Sequence, residues 1–219
     1  MKKFTWFDFA ALVIYLLPVV YLLTVYSALP ARVPMHYGID GKVDRYGSRS
    51  EFLMVQAIIL FVALMIYMLL RFISSIDPKK KVKYSEETFQ KIALGIVIFI
   101  SAVNIVIIFS TVNQGVRVDK LIFPLIGLLF VFLGNVMNNI KPNYFVGIRT
   151  PWTLESEDTW KATHRMAGTV WFAGGILLTI LTLVLPSNVA TVVFMVGILS
   201  IALIPVVYSY IYYKKHQVK

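Results

Sequence analysis

The chain contains no cysteine. That excludes disulfides, thiol nucleophiles and cysteine-ligated metals. Charge is scarce as well: 15% of the 219 residues are Asp, Glu, Lys or Arg, against roughly a quarter in soluble domains. Acids are rarer than bases, 11 against 21, which leaves a formal net charge of +10. Neither HExxH nor GxSxG occurs, so no zinc-protease helix or nucleophile elbow is present. Charge is missing above all from six long runs: Phe9–Leu29, Phe52–Ile73, Ile92–Val112, Leu121–Ile140, Met166–Leu185 and Val189–Tyr213. None of them holds an Asp, Glu, Lys or His, and the one arginine, Arg71, lies at an end.

What fills those runs is apolar. Hydrophobic residues make up 58% of the chain and the mean hydropathy is +0.77. Each run approaches or exceeds the roughly 20 helical residues needed to cross a bilayer core. The expected fold is all-α, a polytopic membrane protein with six transmembrane helices. The first run resembles a secretory signal, but it exceeds the ~7–15 residue apolar core of a cleaved one and is expected to be retained. With the N-terminus inside, fifteen Lys and Arg fall on the inner side and six on the outer. That bias predicts cytoplasmic N- and C-termini. The net charge is then topogenic, and with no soluble basic face the chain is expected not to bind nucleic acid directly. The Lys79–Lys83 run is expected against anionic lipid heads.

One membrane domain, 1–219, accounts for the chain. Its halves, 1–112 and 113–219, each carry a large loop after their first helix: an outer loop at 30–50 and an inner loop at 141–165. Because the halves enter the membrane in opposite senses, a 3+3 inverted repeat is one arrangement that fits. Pro30, Pro34, Gly38, Gly41 and Gly47, with an Asp40-Gly41 turn signal, predict a compact, turn-rich outer loop. Ser85-Glu86-Glu87 reads as a helix start. In the inner loop Thr150-Pro151 fits an N-cap followed by proline at the first helical position. Ser156 with Glu157 and Asp158 fits a second start. A helix from there puts Glu157, Trp160, Lys161 and His164 on one face. A short amphipathic helix near the headgroups, leading into the fifth span, is the expectation.

Two segments carry a family resemblance. The first is LPARVPMHYGIDGKVDRYGSRSEF, with its Pro-x-x-His-aromatic and Gly-x-x-Asp pattern. It resembles an N-terminal module of unknown function. The second, GNVMNNIKPNYFVGIRTPWTLESEDTWKATHRMAG, is similar to the hallmark of the SdpI-type immunity proteins. The resemblance implies a bacterial plasma-membrane protein that protects its cell from a secreted antimicrobial peptide toxin. It also implies, for the best-studied member, a cytoplasmic repressor protein held at the membrane. One departure is Gly38, where the family pattern places Asn.

Candidate residues follow from both lines. The outer candidates for toxin or ligand binding are His36, Tyr37, Asp40, Asp44, Arg45 and Tyr46. A metal on His36, Asp40 and Asp44 lacks a definite geometry, so ion pairs such as Asp44 with a nearby Arg are expected instead, and no metal or cofactor. The inner motif and partner surface comprises Asn135, Asn143, Tyr144, Gly147, Arg149, Thr150, Pro151, Trp152, Trp160, Lys161, Thr163, His164 and Arg165. Asn135 is assigned a supporting role for the loop, and Arg149 and Lys161 contact with an acidic partner. His164 reads as a structural histidine at the interface. It lies across the membrane from His36, so the two cannot cooperate, and the chain is not expected to be an enzyme. Asn104 is expected to hydrogen-bond across a helix contact. The alternative is a small-solute or ion-coupled transporter. The runs lack the acids that proton coupling generally uses, but Pro18, Pro124 and Pro205 could break helices and free carbonyls.

Overall fold

The computed structural model describes residues 3–38, 43–76, 86–113 and 115–217. Asp40, the Asp40-Gly41 turn, Lys79–Lys83 and Ser85 lie outside them. Among the described residues six helices are long and apolar enough to cross a membrane: α1 (Trp6–Val25), α2 (Arg49–Ile76), α3 (Glu86–Val112), α4 (Asp119–Met137), α6 (Glu157–Val184) and α7 (Ser187–Gln217). The protein is a multi-pass membrane protein. Six alternating crossings put the loop after α4 on the side of the termini and the loop after α1 on the opposite side.

α1 starts before the apolar run does. Thr5 and Asp8 form a capping box: the Thr5 amide donates to Asp8 Oδ2 (2.7 Å) and the Asp8 amide to Thr5 Oγ1 (3.4 Å). Asp8 thus enters the helix, where the Arg71 Nε of α2 donates to its Oδ1 (2.6 Å) and the Tyr67 hydroxyl to the same oxygen (2.7 Å). A charge-free reading of the first span therefore needs correction. A buried acid sits at its end, held by the one arginine of the second.

In the first half α1 and α2 both pack on α3; in the second, α6 lies between α4 and α7. The central helix is the third of one half and the second of the other. Glycines spaced seven apart, Gly127 and Gly134 on α4 and Gly168 and Gly175 on α6, bring the α4 and α6 backbones together. A methyl on Gly134 would collide with the Phe172 amide and lie 2.9 Å from the Gly168 carbonyl oxygen. At that separation backbone meets backbone, so no rotamer change relieves it.

Three expectations change. The outer loop is not merely turn-rich. Arg32–Tyr37 (β1) and Val43–Ser48 (β2) pair as an antiparallel hairpin. Val33, fully buried, packs with Leu29, Phe52 and Ile108, which ties the hairpin to the ends of α2 and α3. The Arg49 guanidinium reinforces this by donating to the carbonyls of Leu29 and Pro30. Second, no separate amphipathic helix precedes the fifth span. A five-residue helix, α5 (Pro151–Glu155), is followed by α6, which runs unbroken from Glu157 to Val184. Third, Asn104 on α3 is fully buried and has no hydrogen-bond partner among the described residues, as is the case for Gln56 on α2. Proline breaks none of the helices that hold it; α1, α4 and α7 continue through Pro18, Pro124 and Pro205.

Candidate functional site

On the side of the termini, residues 138–156 fold into a cap over the ends of α4, α6 and α7. Asn143 organises the turn. Its Oδ1 accepts from the amides of Phe145 (2.7 Å) and Val146 (2.8 Å), and its Nδ2 donates to the carbonyls of Lys141 (2.8 Å) and Val146 (3.0 Å). Short polar side chains that mimic a backbone turn in this way are the usual Asn use. Beneath it Trp160 and His164, one turn apart on α6, stack with centroids 4.1 Å apart. Both are buried.

Every polar atom of that stack is committed. Trp160 Nε1 donates to the Ile140 carbonyl (2.8 Å). His164 Nδ1 faces the Trp160 carbonyl (2.9 Å) and its Nε2 accepts from the Ile148 amide (3.2 Å). One nitrogen donating and one accepting defines the neutral Nδ1–H tautomer. Both nitrogens are thus engaged by backbone groups of the fold, which is the geometry of a structural histidine at the foot of the cap. Gly147 arches over the stack at φ +114°, a backbone conformation that favours glycine.

The predicted caps are present. Thr150 and Thr153 form a capping box with Pro151 at the first helical position, and Ser156 Oγ accepts from the Thr159 amide (3.2 Å). Thr153 Oγ1 also donates to the Ile148 carbonyl (2.8 Å). Trp152 Nε1 donates to Ser209 Oγ of α7, the Trp152 ring meets Tyr210 edge-on at 5.3 Å, and the Tyr213 hydroxyl donates to Glu155. The cap is thus sewn to three helices.

Of the inner candidates, Asn143, Gly147, Thr150, Pro151, Trp152, Trp160 and His164 converge in this network. Thr163 is buried beside it, its hydroxyl without a hydrogen-bond partner among the described residues. Tyr144, Arg149, Lys161 and Arg165 are exposed. Arg149 donates to the Tyr144 carbonyl, and Lys161 pairs with Glu157 at 3.0 Å. Asn135 is exposed on α4 and makes no hydrogen bond to the loop among the described residues. Sequence reading missed Ile140, Thr153 and Ser209. Thr153 was detectable from its spacing to Thr150, whereas the other two act through a carbonyl and through tertiary contact.

On the opposite side the hairpin leans across to the second half. A cavity of about 530 Å³ is lined by His36, Tyr37, Gly38 and Asp44 from the hairpin, by Arg117, Asp119, Ile122 and Phe123 around the start of α4, and by Thr191 and Met195 of α7. The expected Asp44–Arg pair is replaced. Asp44 bonds His36 Nδ1 (2.8 Å), while Arg45 pairs with Glu51. The hairpin sets His36 opposite Arg45, next to Asp44, and brings Arg45 back onto Glu51 in the first turn of α2. Arg117 and Asp119 form a two-point ion pair (3.0 and 3.2 Å). Arg32 lies 5.5 Å from the Tyr46 ring centroid. Burial, aided by the neighbouring Tyr46, holds the Tyr37 phenol above its usual pKa. Asp40 lies outside the described residues. The α4 and α7 wall was invisible in the sequence, because nothing in an apolar run shows which residues face a distant loop.

Comparison with known proteins matches two separate segments of the chain. Residues 13–67, covering most of α1, the hairpin and much of α2, match a domain of unknown function, DUF1648. Residues 139–209, covering the cap, α6 and most of α7, match the model described as the SdpI/YfhL protein family. Over 190 residues the chain is 24% identical to the immunity protein SdpI of Bacillus subtilis (strain 168), covering 87% of each chain. A 38-residue stretch, 17% of this chain, is 50% identical to an uncharacterized protein of Archaeoglobus fulgidus, of which it covers 21%. No solved structure matches.

Proposed function

Because this chain belongs to the SdpI-type family, we propose that it is a membrane immunity protein that protects a bacterium from a secreted antimicrobial peptide. The six helices act as one domain, with both termini and the cap in the cytoplasm and the hairpin outside. The peptide engages the outer cavity, where His36, Tyr37 and Asp44 with the adjoining Arg45 and Tyr46 face Arg117, Asp119 and Phe123.

One observation carries this reading: the outer cavity and the inner cap share two helices. α4 runs from Asp119 at the cavity to Met137, just before the Ile140 carbonyl that holds Trp160, and α7 runs from Thr191 at the cavity to Ser209, which holds Trp152. A peptide that draws the hairpin against α4 and α7 favours one placement of those helices. A ligand shifts an equilibrium only by its differential affinity for the two states, and here the difference would be felt at the cap. The exposed Tyr144, Arg149 and Lys161 are the surface an acidic cytoplasmic partner would meet, such as the repressor that the resemblance implies.

The test is survival. Expression in a sensitive bacterium is expected to raise viable counts under the matching peptide. His36→Ala/Asp44→Ala is expected to reduce that protection about tenfold with unchanged protein level, since an exposed pair adds little to folding. No protection across a panel of such peptides would remove the proposal. Transport is the second reading, favoured by the buried, unpartnered amides of Gln56 and Asn104. It requires substrate counterflow in proteoliposomes, which the immunity reading does not.

A further inference from the structure

We propose that a second cavity, beside the cap on the side of the termini, binds the phosphate of an anionic phospholipid headgroup. It measures about 660 Å³ and lies where α4 ends and α6 begins. Lys141, Lys161, Arg165 and Glu157 contribute to its lining. Glu157 is already neutralised by Lys161 (3.0 Å), so Arg165 beside that pair leaves the mouth positive. An ammonium retains two further donors after one bond, and the Arg165 guanidinium has the planar fork that fits phosphate oxygens.

Depth and size select the lipid. Arg165 directly precedes the apolar stretch that begins at Met166, which puts these cations at the boundary where headgroup phosphates lie. The cavity is many times the roughly 30 Å³ a single water occupies, so it admits a phosphodiester with its glycerol and not merely a bare ion. Ile140 and Pro142 supply an apolar wall for that glycerol. The wall that Trp160 and His164 form has nothing to donate, because Trp160 Nε1 and both His164 nitrogens are engaged within the cap, and Asn138, the remaining polar side chain of the lining, is uncharged. Recognition therefore rests on charge at the rim. Anionic headgroups of different structure should bind alike, and zwitterionic ones less well. The site is independent of any peptide bound on the hairpin side.

Native mass spectrometry of the full-length protein with phosphatidylglycerol and phosphatidylcholine tests this. The wild type should retain phosphatidylglycerol preferentially, and millimolar inorganic phosphate should not displace it. Lys161→Gln/Arg165→Gln should lower that preference by roughly fivefold per charge, about 25-fold together. Glu157→Gln should raise it, an outcome misfolding cannot imitate. Lys214→Gln/Lys215→Gln, on the same side but away from the cavity, should leave it unchanged. Equal retention of the two lipids, displacement by inorganic phosphate, or an equal loss in the Lys214/Lys215 variant would each overturn the assignment.

Discussion

Arg71→Leu is expected to destabilise the protein by about 3–5 kcal/mol, the usual cost of orphaning one member of a buried ion pair. The side chains of Arg71 and Asp8 are 6% and 11% exposed. Arg71 donates to both carboxylate oxygens of Asp8 and to the Lys3 carbonyl (2.8 Å), while Tyr67 supplies a further donor to Asp8. Removing the guanidinium leaves a largely buried carboxylate without its counter-ion. Asp8→Asn should cost less, because a long arginine can extend its head toward the interface. The amide also keeps one oxygen for the Thr5 donors, and its NH2 can donate to the Tyr67 hydroxyl. Asp8→Asn/Arg71→Leu should then be more stable than Arg71→Leu alone, as measured by chemical denaturation in detergent micelles. A single Arg71→Leu variant within about 1 kcal/mol of wild type would show that the pair does not hold α1 to α2.

Gly147→Ala is expected to loosen the cap by about 2–5 kcal/mol. Backbone strain at positive φ contributes about 1–2 of this, and overpacking against the stack about 1–3. The added methyl would collide with His164 Nε2 and stand 3.2 Å from the Trp160 ring. The imidazole cannot retreat, since it is stacked on one face and bonded at both nitrogens. Limited proteolysis of the 141–156 segment and Trp fluorescence should report the loosening. In a His164→Ala background the same substitution should cost little more than the backbone part, because the nearest obstacle is gone and only the 3.2 Å approach to the Trp160 ring remains. An equal cost in both backgrounds would separate Gly147 from the stack and take away the assigned role of His164.

These two sites differ in how readable they were. The spans were legible because a bilayer demands long uncharged helices, and the caps because Thr150-Pro151 and Ser156-Glu157 satisfy free amides at fixed spacing. Boundaries set by hydropathy alone failed at α1. There a polar capping box, not an apolar residue, starts the helix and carries Asp8 inward. The hairpin was hidden because proline and glycine dominated the reading of residues 30–50. The alternation that buries Val33 and exposes Arg32 and His36 is only one strand long. Asn143, Gly147, Trp160 and His164 were recognisable as a set through the family motif, but their joint purpose, a closed hydrogen-bonded stack, is a tertiary fact. So is the second half's share of the outer cavity. Asn135 is a motif residue that is exposed on α4 and, among the described residues, makes no hydrogen bond to the cap.

Because the chain is free of cysteine, single thiols can be introduced without background. Tyr46→Cys on the hairpin and Lys161→Cys beside the cap are both exposed positions, and a membrane-impermeant maleimide applied to intact cells asks which bath each one faces. Labelling of Tyr46→Cys in intact cells, with Lys161→Cys reacting only after permeabilisation, is the expected result. Reaction of both from the same side would contradict a protein that meets a peptide outside and displays its cap within.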